Sequence, residues 1–492
     1  MNGRMIARIL GTVLLLLAGV LLLPLIVGLI YGESVRGFAL TIALAAALGL
    51  TLLLCLKPKS TEIYAREGFT AVGLVWITMS LIGALPLVLN GDIPRYVDAV
   101  FEVTSGFTTT GASVVPDVEA LSRSGMFWRI FTHWLGGMGV LVFVMAVMPL
   151  GGDRSMHIMR AEVPGPTVGK LVPRARKTAM ILYLIYLGLT LLETVFLLFG
   201  GMSFYEALLH SFASAGTGGF STRAASIGAF DSAYIETVIG VFLILFGTNF
   251  NLYYLILIGR AKDALKSEEL HWYLGIIAFC VAAIAVGLRP IYGSVGTALR
   301  HAFFNVTTIV STTGFGTEDF TKWPGYIQML LICLMLIGGC AGSTGGGLKV
   351  SRLILLVKTA AADVRKMVRP RSVNRVSLDG QRVSRETTSA VYTFFALYML
   401  ILFGCTLLLS LDGHNFATGL SAAPDDFATC FTAALSCMSN IGPGMTAAIG
   451  PKGGFGFFSD FSKIVMSLTM LCGRLEIYAI LILFLPSTWR KN

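Results

Sequence analysis

Charge is what this sequence has least of. Asp, Glu, Lys and Arg make up 13% of its 492 residues, about half the quarter found in soluble domains, and they are clumped between long runs that contain none. That excludes a disordered chain, a nucleic-acid-binding domain and an ordinary cytosolic enzyme. Ligand and nucleophile patterns are missing too. The eight Cys include no C-x-x-C pair and all lie in or beside apolar segments, so neither a zinc site nor a disulfide framework is expected. The six His never take an H-E-x-x-H spacing, and there is no G-x-S-x-G elbow or phosphate-binding G-x-x-x-x-G-K-[ST] loop. No enzyme and no bound cofactor is expected.

What is present is apolar length. Uncharged runs extend over Ile9–Gly32, Gly37–Leu56, Gly68–Gly91, Ile130–Gly152, Thr237–Gly259, Leu270–Leu288, Trp323–Leu348 and Thr387–Leu411, each long enough to cross a bilayer core. Thr178–Gly200, interrupted by Glu193, and Ile464–Trp489, interrupted by Arg474 and Glu476, complete ten expected membrane-crossing helices. The first follows Arg4 and Arg8 but is too long for a signal-peptide core and ends in no small-residue cleavage site, so it reads as a retained span. Glu193 reads as an acid satisfying a neighbouring polar group.

Lys and Arg then set the orientation. With the N-terminus inside, the inner connections are Lys57–Glu67, Asp153–Lys177, Arg260–Glu269, Lys349–Glu386 and the tail at Arg490 and Lys491. The fourth holds ten Lys and Arg against three acids. These are positive-inside loops, which place both termini in the cytoplasm. The outer connections lean acidic, and a negative outer face concentrates cations.

Four outer connections contain apolar stretches too short to span: Tyr96–Ser113, Phe204–Ser221, Val295–Gly316 and Phe427–Gly444. They align on one glycine each, as Thr109-Thr110-Gly111-Ala112, Thr217-Gly218-Gly219-Phe220, Thr312-Thr313-Gly314-Phe315 and Asn440-Ile441-Gly442-Pro443. Twelve residues before that glycine stand Ala99, Ala207, Ala302 and Cys430, all small. The sequence therefore repeats four times a unit of span, short re-entrant helix, glycine turn and span. Residues 1–67 hold two additional spans, the units occupy 68–152, 178–259, 270–358 and 387–489, and 359–386 is a basic cytoplasmic linker. Irregular backbone at membrane depth is tolerated only against protein or along a water-filled path. Four such turns around one axis would supply rings of carbonyls able to replace the hydration shell of a monovalent cation. Glycine suits the turn because it adopts φ > 0 with no side chain in the way. A single turn of this kind would do no more than cap a packing hairpin; four in register favour an ion path.

The chain resembles the TrkH/TrkG-type potassium uptake proteins of the Trk/Ktr/HKT superfamily. The residues that carry the resemblance are Phe107-Thr108-Thr109-Thr110-Gly111-Ala112, His133-Trp134-Leu135-Gly136-Gly137-Met138-Gly139, Thr312-Thr313-Gly314-Phe315-Gly316, Ser439-Asn440-Ile441-Gly442-Pro443-Gly444, Gly473-Arg474-Leu475-Glu476, and the run from Gly338 to Lys349. The second turn, Ala215-Gly216-Thr217-Gly218-Gly219-Phe220, departs from the family's Asn-Ala-Gly-Phe wording, with small residues at both changed places. The resemblance implies potassium as substrate and a filter built from Thr109, Thr110, Gly111, Thr217, Gly218, Gly219, Thr312, Thr313, Gly314, Asn440, Ile441 and Gly442. It also implies a homodimer in the bacterial inner membrane, with a cytosolic nucleotide-binding regulatory subunit of the TrkA kind docked on the basic inner face. A proton- or sodium-coupled potassium symporter is the alternative within transport.

Two features lie beyond the turns. Gly338, Gly339, Gly342, Ser343, Thr344, Gly345, Gly346 and Gly347 crowd one stretch of the Trp323–Leu348 span, where each glycine costs a helix about 1 kcal/mol relative to alanine. The span is expected to break there. Close helix packing by small residues is one reading; by resemblance the stretch is an intramembrane gating loop below the filter. Arg474 lies inside the last span, where a charge is costly and faces a cavity or a partner. It is either a structural ligand of Glu476 or loop carbonyls, or an electrostatic barrier beside the ion path.

Overall fold

The computed structural model describes residues 2–56, 64–139, 175–370, 376–413 and 426–490. The fold is helical, with one two-residue hairpin pairing Ser377–Leu378 with Gln381–Arg382. An N-terminal pair comes first: α1 (Gly3–Val20), continued after a break at Leu21 by α2 (Leu22–Ile30), packs on α3 (Arg36–Cys55). A methyl group on Gly11 would stand 2.9 Å from the Gly49 carbonyl, and one on Gly49 equally close to the Gly11 carbonyl, so the two backbones touch where side chains are absent.

The remaining helices fall into four similar runs. The first has α4 (Ala65–Gly83) with α5 (Leu85–Leu89), the short α6 (Tyr96–Phe107), and α7 (Arg123–Gly137). The second has α8 (Ala175–Phe199), the short α9 (Phe204–Gly216), α10 (Ala233–Phe246) and α11 (Phe250–Leu257), leading through α12 (Ala261–Leu265) to the third. The third has α13 (Glu268–Tyr292), the short α14 (Val295–Val310), α15 (Gly325–Ile337) and α16 (Val350–Val368). The fourth has α17 (Arg385–Gly413), the short α18 (Phe427–Ser439), α19 (Asp460–Arg474) and α20 (Tyr478–Phe484).

Among the described residues, six helices are long and apolar enough to cross a membrane: Gly3–Ile30, Arg36–Cys55, Arg66–Leu89, Ala179–Phe199, Glu268–Tyr292 and Arg385–Asp412. The long first helices of the second, third and fourth runs keep an apolar face outward, as at Leu184, Val286 and Leu400, all more than half exposed. That face suits lipid. The short helices are the reverse, with almost every residue of their second halves buried.

Two runs read above as continuous spans are broken in the structure. Thr237–Gly259 divides at Gly247–Asn249, where α10 and α11 meet at 88°. The sequence carries the cause: a side chain on Gly247 would collide with the Tyr273 hydroxyl, and the Asn249 side chain caps the new helix by accepting from the Asn251 amide at 3.0 Å. Ile464–Trp489 divides after Arg474, at Glu476 and Ile477, both with φ > 0. The Trp323–Leu348 run breaks as its glycines require, and the chain resumes as helix through Val368 before the basic connection. The expected span ending at Gly152 is described only to Gly139, and residues 140–174 lie outside the described residues.

Candidate functional site

The four short helices end in one and the same way. In each, the amide five residues past a helix carbonyl folds back onto it: Thr110 to Ser105, Gly218 to Ala213, Thr313 to Thr308 and Ile441 to Ser436, at 2.8 to 3.0 Å. This is the closure that a left-handed residue makes at a helix C-terminus, a place usually given to glycine. Here it is held by Thr109 (φ 55°), Thr217 (55°), Thr312 (61°) and Asn440 (56°). A β-branched residue at positive φ is an outlier, with a strain of about 1–3 kcal/mol at each site. Three of the four turns keep a threonine in that conformation. Two residues on, the backbone is left-handed again at Gly111 (80°), Gly219 (76°), Gly314 (83°) and Gly442 (104°).

The turns close into a ring. A methyl group on Gly111 would stand 2.0 Å from the Gly218 carbonyl oxygen, on Gly219 2.1 Å from that of Thr313, on Gly314 1.8 Å from that of Ile441, and on Gly442 2.9 Å from that of Thr110. Each glycine thus abuts the carbonyl one place before the next turn's glycine, and the fourth turn returns to the first. No side chain fits at any of the first three seams. The four glycines also line a single cavity of about 180 Å³, together with Ala112, Ser113, Phe220, Gly316 and Pro443.

Side chains behind the ring tie neighbouring turns. Asn440 donates through Nδ2 to Thr110 Oγ1 at 3.0 Å, joining turns four and one. His133 on α7 joins one and two: its Nδ1 lies 2.8 Å from the Gly106 carbonyl at the end of α6, and its Nε2 accepts from the Phe220 amide at 3.3 Å. The ring also stacks on Phe220 with centroids 4.2 Å apart. Arg129, one helical turn earlier, pairs with the buried Glu102 at 2.6 Å.

On the opposite side of the ring from that cavity lies the glycine-rich loop between α15 and α16. It leaves and returns at one place: the Leu348 and Lys349 amides donate to the Leu336 and Ile337 carbonyls at 3.1 and 2.8 Å. Gly338, Gly342 and Gly347 have positive φ, and Gly338 and Gly347 are in backbone contact. The tip touches the ring from below. Gly346 N donates to Thr312 Oγ1 at 2.6 Å, and side chains on Gly345 or Gly346 would strike the Ser311 and Ser439 carbonyls. The broken α10 end meets the loop as well, with Cys340 N donating to Gly247 O at 2.9 Å and Thr344 Oγ1 to Phe246 O at 3.2 Å. The carbonyls freed by one break are thereby satisfied by the other.

Arg474 joins this loop to the first unit. Its guanidinium donates to the Thr344 carbonyl and to the carbonyls of Gly136, at 2.6 Å, and Gly137 at the end of α7. Glu476 turns elsewhere and pairs with Arg352 at 2.7 Å. Lys349, also buried, donates to the Gly345 carbonyl. One carboxylate oxygen of Glu269 accepts from both sides of the loop, from Ala341 N at 2.7 Å and Ser351 N at 3.0 Å.

The family model for TrkH, described as a cation transport protein, matches residues 34–281 and 291–491. The chain belongs to the TrkH family. It is 36% identical over the full length of both chains to the Trk system potassium uptake protein TrkH of Salmonella typhimurium, and 32% identical to TrkG of Escherichia coli, covering 99% of each. Its structure is similar to the crystal structure of the potassium transporter TrkH from Vibrio parahaemolyticus, with a TM-score of 0.87, 33% identity and complete coverage of both. Within this TrkH-family chain the structure brings all four sequence-aligned turns together and sets the glycine-rich loop and Arg474 beside them. Sequence reading did not single out Glu102, Arg129 or Glu269, and Lys349 stood only at the end of the quoted glycine-rich run. His133 stood in a quoted motif, but nothing in its spacing disclosed that it braces two turns.

Proposed function

We propose that this chain carries out potassium uptake through a filter formed where the four turns close, gated from the other side by the glycine-rich loop. Potassium uptake is the activity named for its full-length relatives, and K⁺ is the substrate. The observation that carries the filter reading is the closed ring in which each glycine abuts the carbonyl preceding the next. Backbone held left-handed at Thr109, Thr217, Thr312 and Asn440, and again two residues later, turns carbonyls toward a common path at no cost in side-chain volume. Packing around the ring holds the threonines in this strained conformation, so the turns keep one shape. The short helices also end at the ring, so the partly negative ends of their dipoles favour a cation there.

The loop from Gly338 to Gly347 blocks the path beneath the filter, and the charge of Arg474 raises the barrier for a cation. The whole chain adopts ten spans and four re-entrant helices, in the units 68–152, 178–259, 270–358 and 387–489 after two N-terminal spans. Both termini lie in the cytoplasm of a bacterium, and the chain sits in its inner membrane as a homodimer. The basic stretch 359–386 receives a nucleotide-binding regulatory subunit of the TrkA kind. Support for that partner is the concentration of Arg365, Lys366, Arg369, Arg371, Arg375, Arg382 and Arg385 on one inner connection.

The test of the filter is Gly111→Ser in purified protein reconstituted into liposomes, with K⁺, Rb⁺ and Na⁺ fluxes measured. A side chain at φ 80°, against the Gly218 carbonyl, must displace the ring. The preference for K⁺ over Na⁺ is expected to fall by about tenfold or more, given that cavity size and field both change. An unchanged ratio overturns the assignment.

A further inference from the structure

The four seams of the ring are not equally built. Behind the seam between turns one and two lies a buried ion pair whose partners hold the outer ends of both turns. Glu102 on α6 is fully buried and Arg129 on α7 is 3% exposed. Glu102 Oε1 accepts from Arg129 Nε at 2.6 Å and from Ser113 Oγ at 2.9 Å, and Oε2 accepts from the Val114 amide at 2.8 Å. Ser113 and Val114 directly follow Gly111 and Ala112. Arg129 reaches the other turn: its guanidinium carbon lies 3.5 Å from the centroid of the Phe220 ring, next to Gly219, and its Nη1 lies 3.5 Å from the Ser221 carbonyl. Nη2 donates back to Ser113 Oγ at 3.1 Å.

Two other acids, the buried Glu236 and the half-buried Asp98, pair with a cation on a neighbouring unit, Arg300 and Lys463 respectively. These pairs sit toward the starts of the short helices, and among the described contacts neither bonds to a turn. The Glu102–Arg129 pair is different in kind. Its carboxylate and guanidinium planes are fixed by several bonds each, and those bonds end on backbone and side chains within three residues of two filter glycines.

We propose that Glu102 and Arg129 are positioning residues that hold turns one and two at the separation that discriminates K⁺ from Na⁺. The inference rests on the filter reading given above. An ion pair fixed at both faces is a stiff spacer, because the planar guanidinium accepts its carboxylate and its aromatic partner only in one orientation. Its net charge is zero, so it adds stiffness beside a cation path without adding a repelling charge. A role confined to stability or to local charge would alter folding, or would change K⁺ and Na⁺ passage alike. A role in spacing changes the ratio of the two.

The test therefore uses variants that conserve charge and change geometry. Glu102→Asp withdraws the carboxylate by one methylene, and Arg129→Lys removes the planar fork and its face on Phe220. Each is reconstituted in liposomes, with K⁺ and Na⁺ flux ratio and melting temperature measured on the same preparation. The expected result is a fall in the K⁺/Na⁺ ratio of about fivefold or more in both. Glu236→Gln, which breaks the pair remote from the turns, lowers the melting temperature and leaves the ratio unchanged. Ratios within about twofold of the parent protein in folded Glu102→Asp and Arg129→Lys overturn the proposal. Where either variant fails to insert, Phe220→Leu removes the ring beneath the guanidinium, and the same criterion applies. Gly111→Ser in parallel separates the two levels: if it lowers the ratio and the charge-conserving variants do not, the positioning role alone fails. If none of them moves the ratio, the filter reading fails with it.

Discussion

The ring of turns and the loop beneath it are both irregular backbone within a membrane protein, and they are held in opposite ways. Each ring turn is fixed by its own helix through the same returning amide, and each seam is backbone against backbone, with glycine where any side chain would collide. The loop has one copy only. Its anchors come from elsewhere in the chain: Arg474 on α19, Glu269 on α13, Thr312 in the third turn and the broken end of α10. A structure held by its own backbone resists change until it is deformed as a whole. One held at its tip by side chains from other elements is loosened when those side chains find other partners. The difference fits a fixed selective element next to a movable barrier.

The sharpest way to break this contrast is Arg474→Gln. A cation passing a fixed positive charge at about 6 Å meets roughly 3 kcal/mol of repulsion at an effective dielectric near 20, worth about two orders of magnitude in rate as an upper bound. Rb⁺ uptake into liposomes is expected to rise toward that limit while the K⁺/Na⁺ ratio stays put. Because the Thr344, Gly136 and Gly137 carbonyls lose their donor, melting temperature falls as well. A variant with lowered stability and lowered uptake would confine Arg474 to a structural role.

Deleting Gly342–Gly347 removes the barrier and leaves the Arg474 charge in place, so the expected rise in flux is smaller, about tenfold, again without loss of selectivity. Wild-type flux through a well-folded deletion would end the gating reading. A still smaller effect is expected at Glu269. Glu269→Ala frees the Ala341 and Ser351 amides, a loss of about 1–3 kcal/mol that loosens the loop and raises basal flux a few-fold. Glu269→Gln restores the parent behaviour, because the single oxygen that accepts both amides survives in the amide side chain. Equal fluxes in the Ala and Gln variants would show that the loop does not depend on this anchor.

The least effect belongs to the solvated ion pair at the start of α9. Burial pushes the Glu206 carboxyl up, but the Ser203 hydroxyl and the Arg223 guanidinium outweigh it and leave the group below its ordinary value of 4.5. A lowered folded-state value means the carboxylate adds stability above the ordinary carboxylate range and loses it as pH falls through the lowered value. The contribution is under about 1 kcal/mol because Arg223 is solvated. Melting of Glu206→Gln and parent protein should differ slightly at pH 7 and converge in acid; a gap that widens in acid contradicts the assignment.

The ring was legible in the sequence because its turns are local. Thr109, Thr217, Thr312 and Asn440 stand two places before an aligned glycine, and the glycine is demanded by the backbone itself. Helix length and the Gly338–Gly347 break were legible for the same reason, from hydropathy and from the crowding of one residue type. The breaks at Gly247 and at Glu476–Ile477 were not. A single glycine in an apolar run reads as a tolerated helix residue, and only the Tyr273 hydroxyl packed against it shows why it cannot be anything else. The braces behind the ring were hidden for a different reason. Glu102 with Arg129 and His133 with Phe220 join residues 27 and 87 positions apart, and no period or motif connects them before the chain is folded.

With the ring as the filter proposed above, its closure by one polypeptide has a consequence for how it can change over generations. In a pore assembled from four identical subunits, any substitution enters four times. A change worth about 1 kcal/mol per wall becomes about 4 kcal/mol, close to a thousandfold in an equilibrium constant. Here the same substitution enters once and shifts the balance by about fivefold. The walls already differ, with Thr109, Thr217, Thr312 and Asn440 at one level and Thr110, Gly218, Thr313 and Ile441 at the next. Descendants of this chain can therefore retune ion preference in small steps, one quarter of the ring at a time.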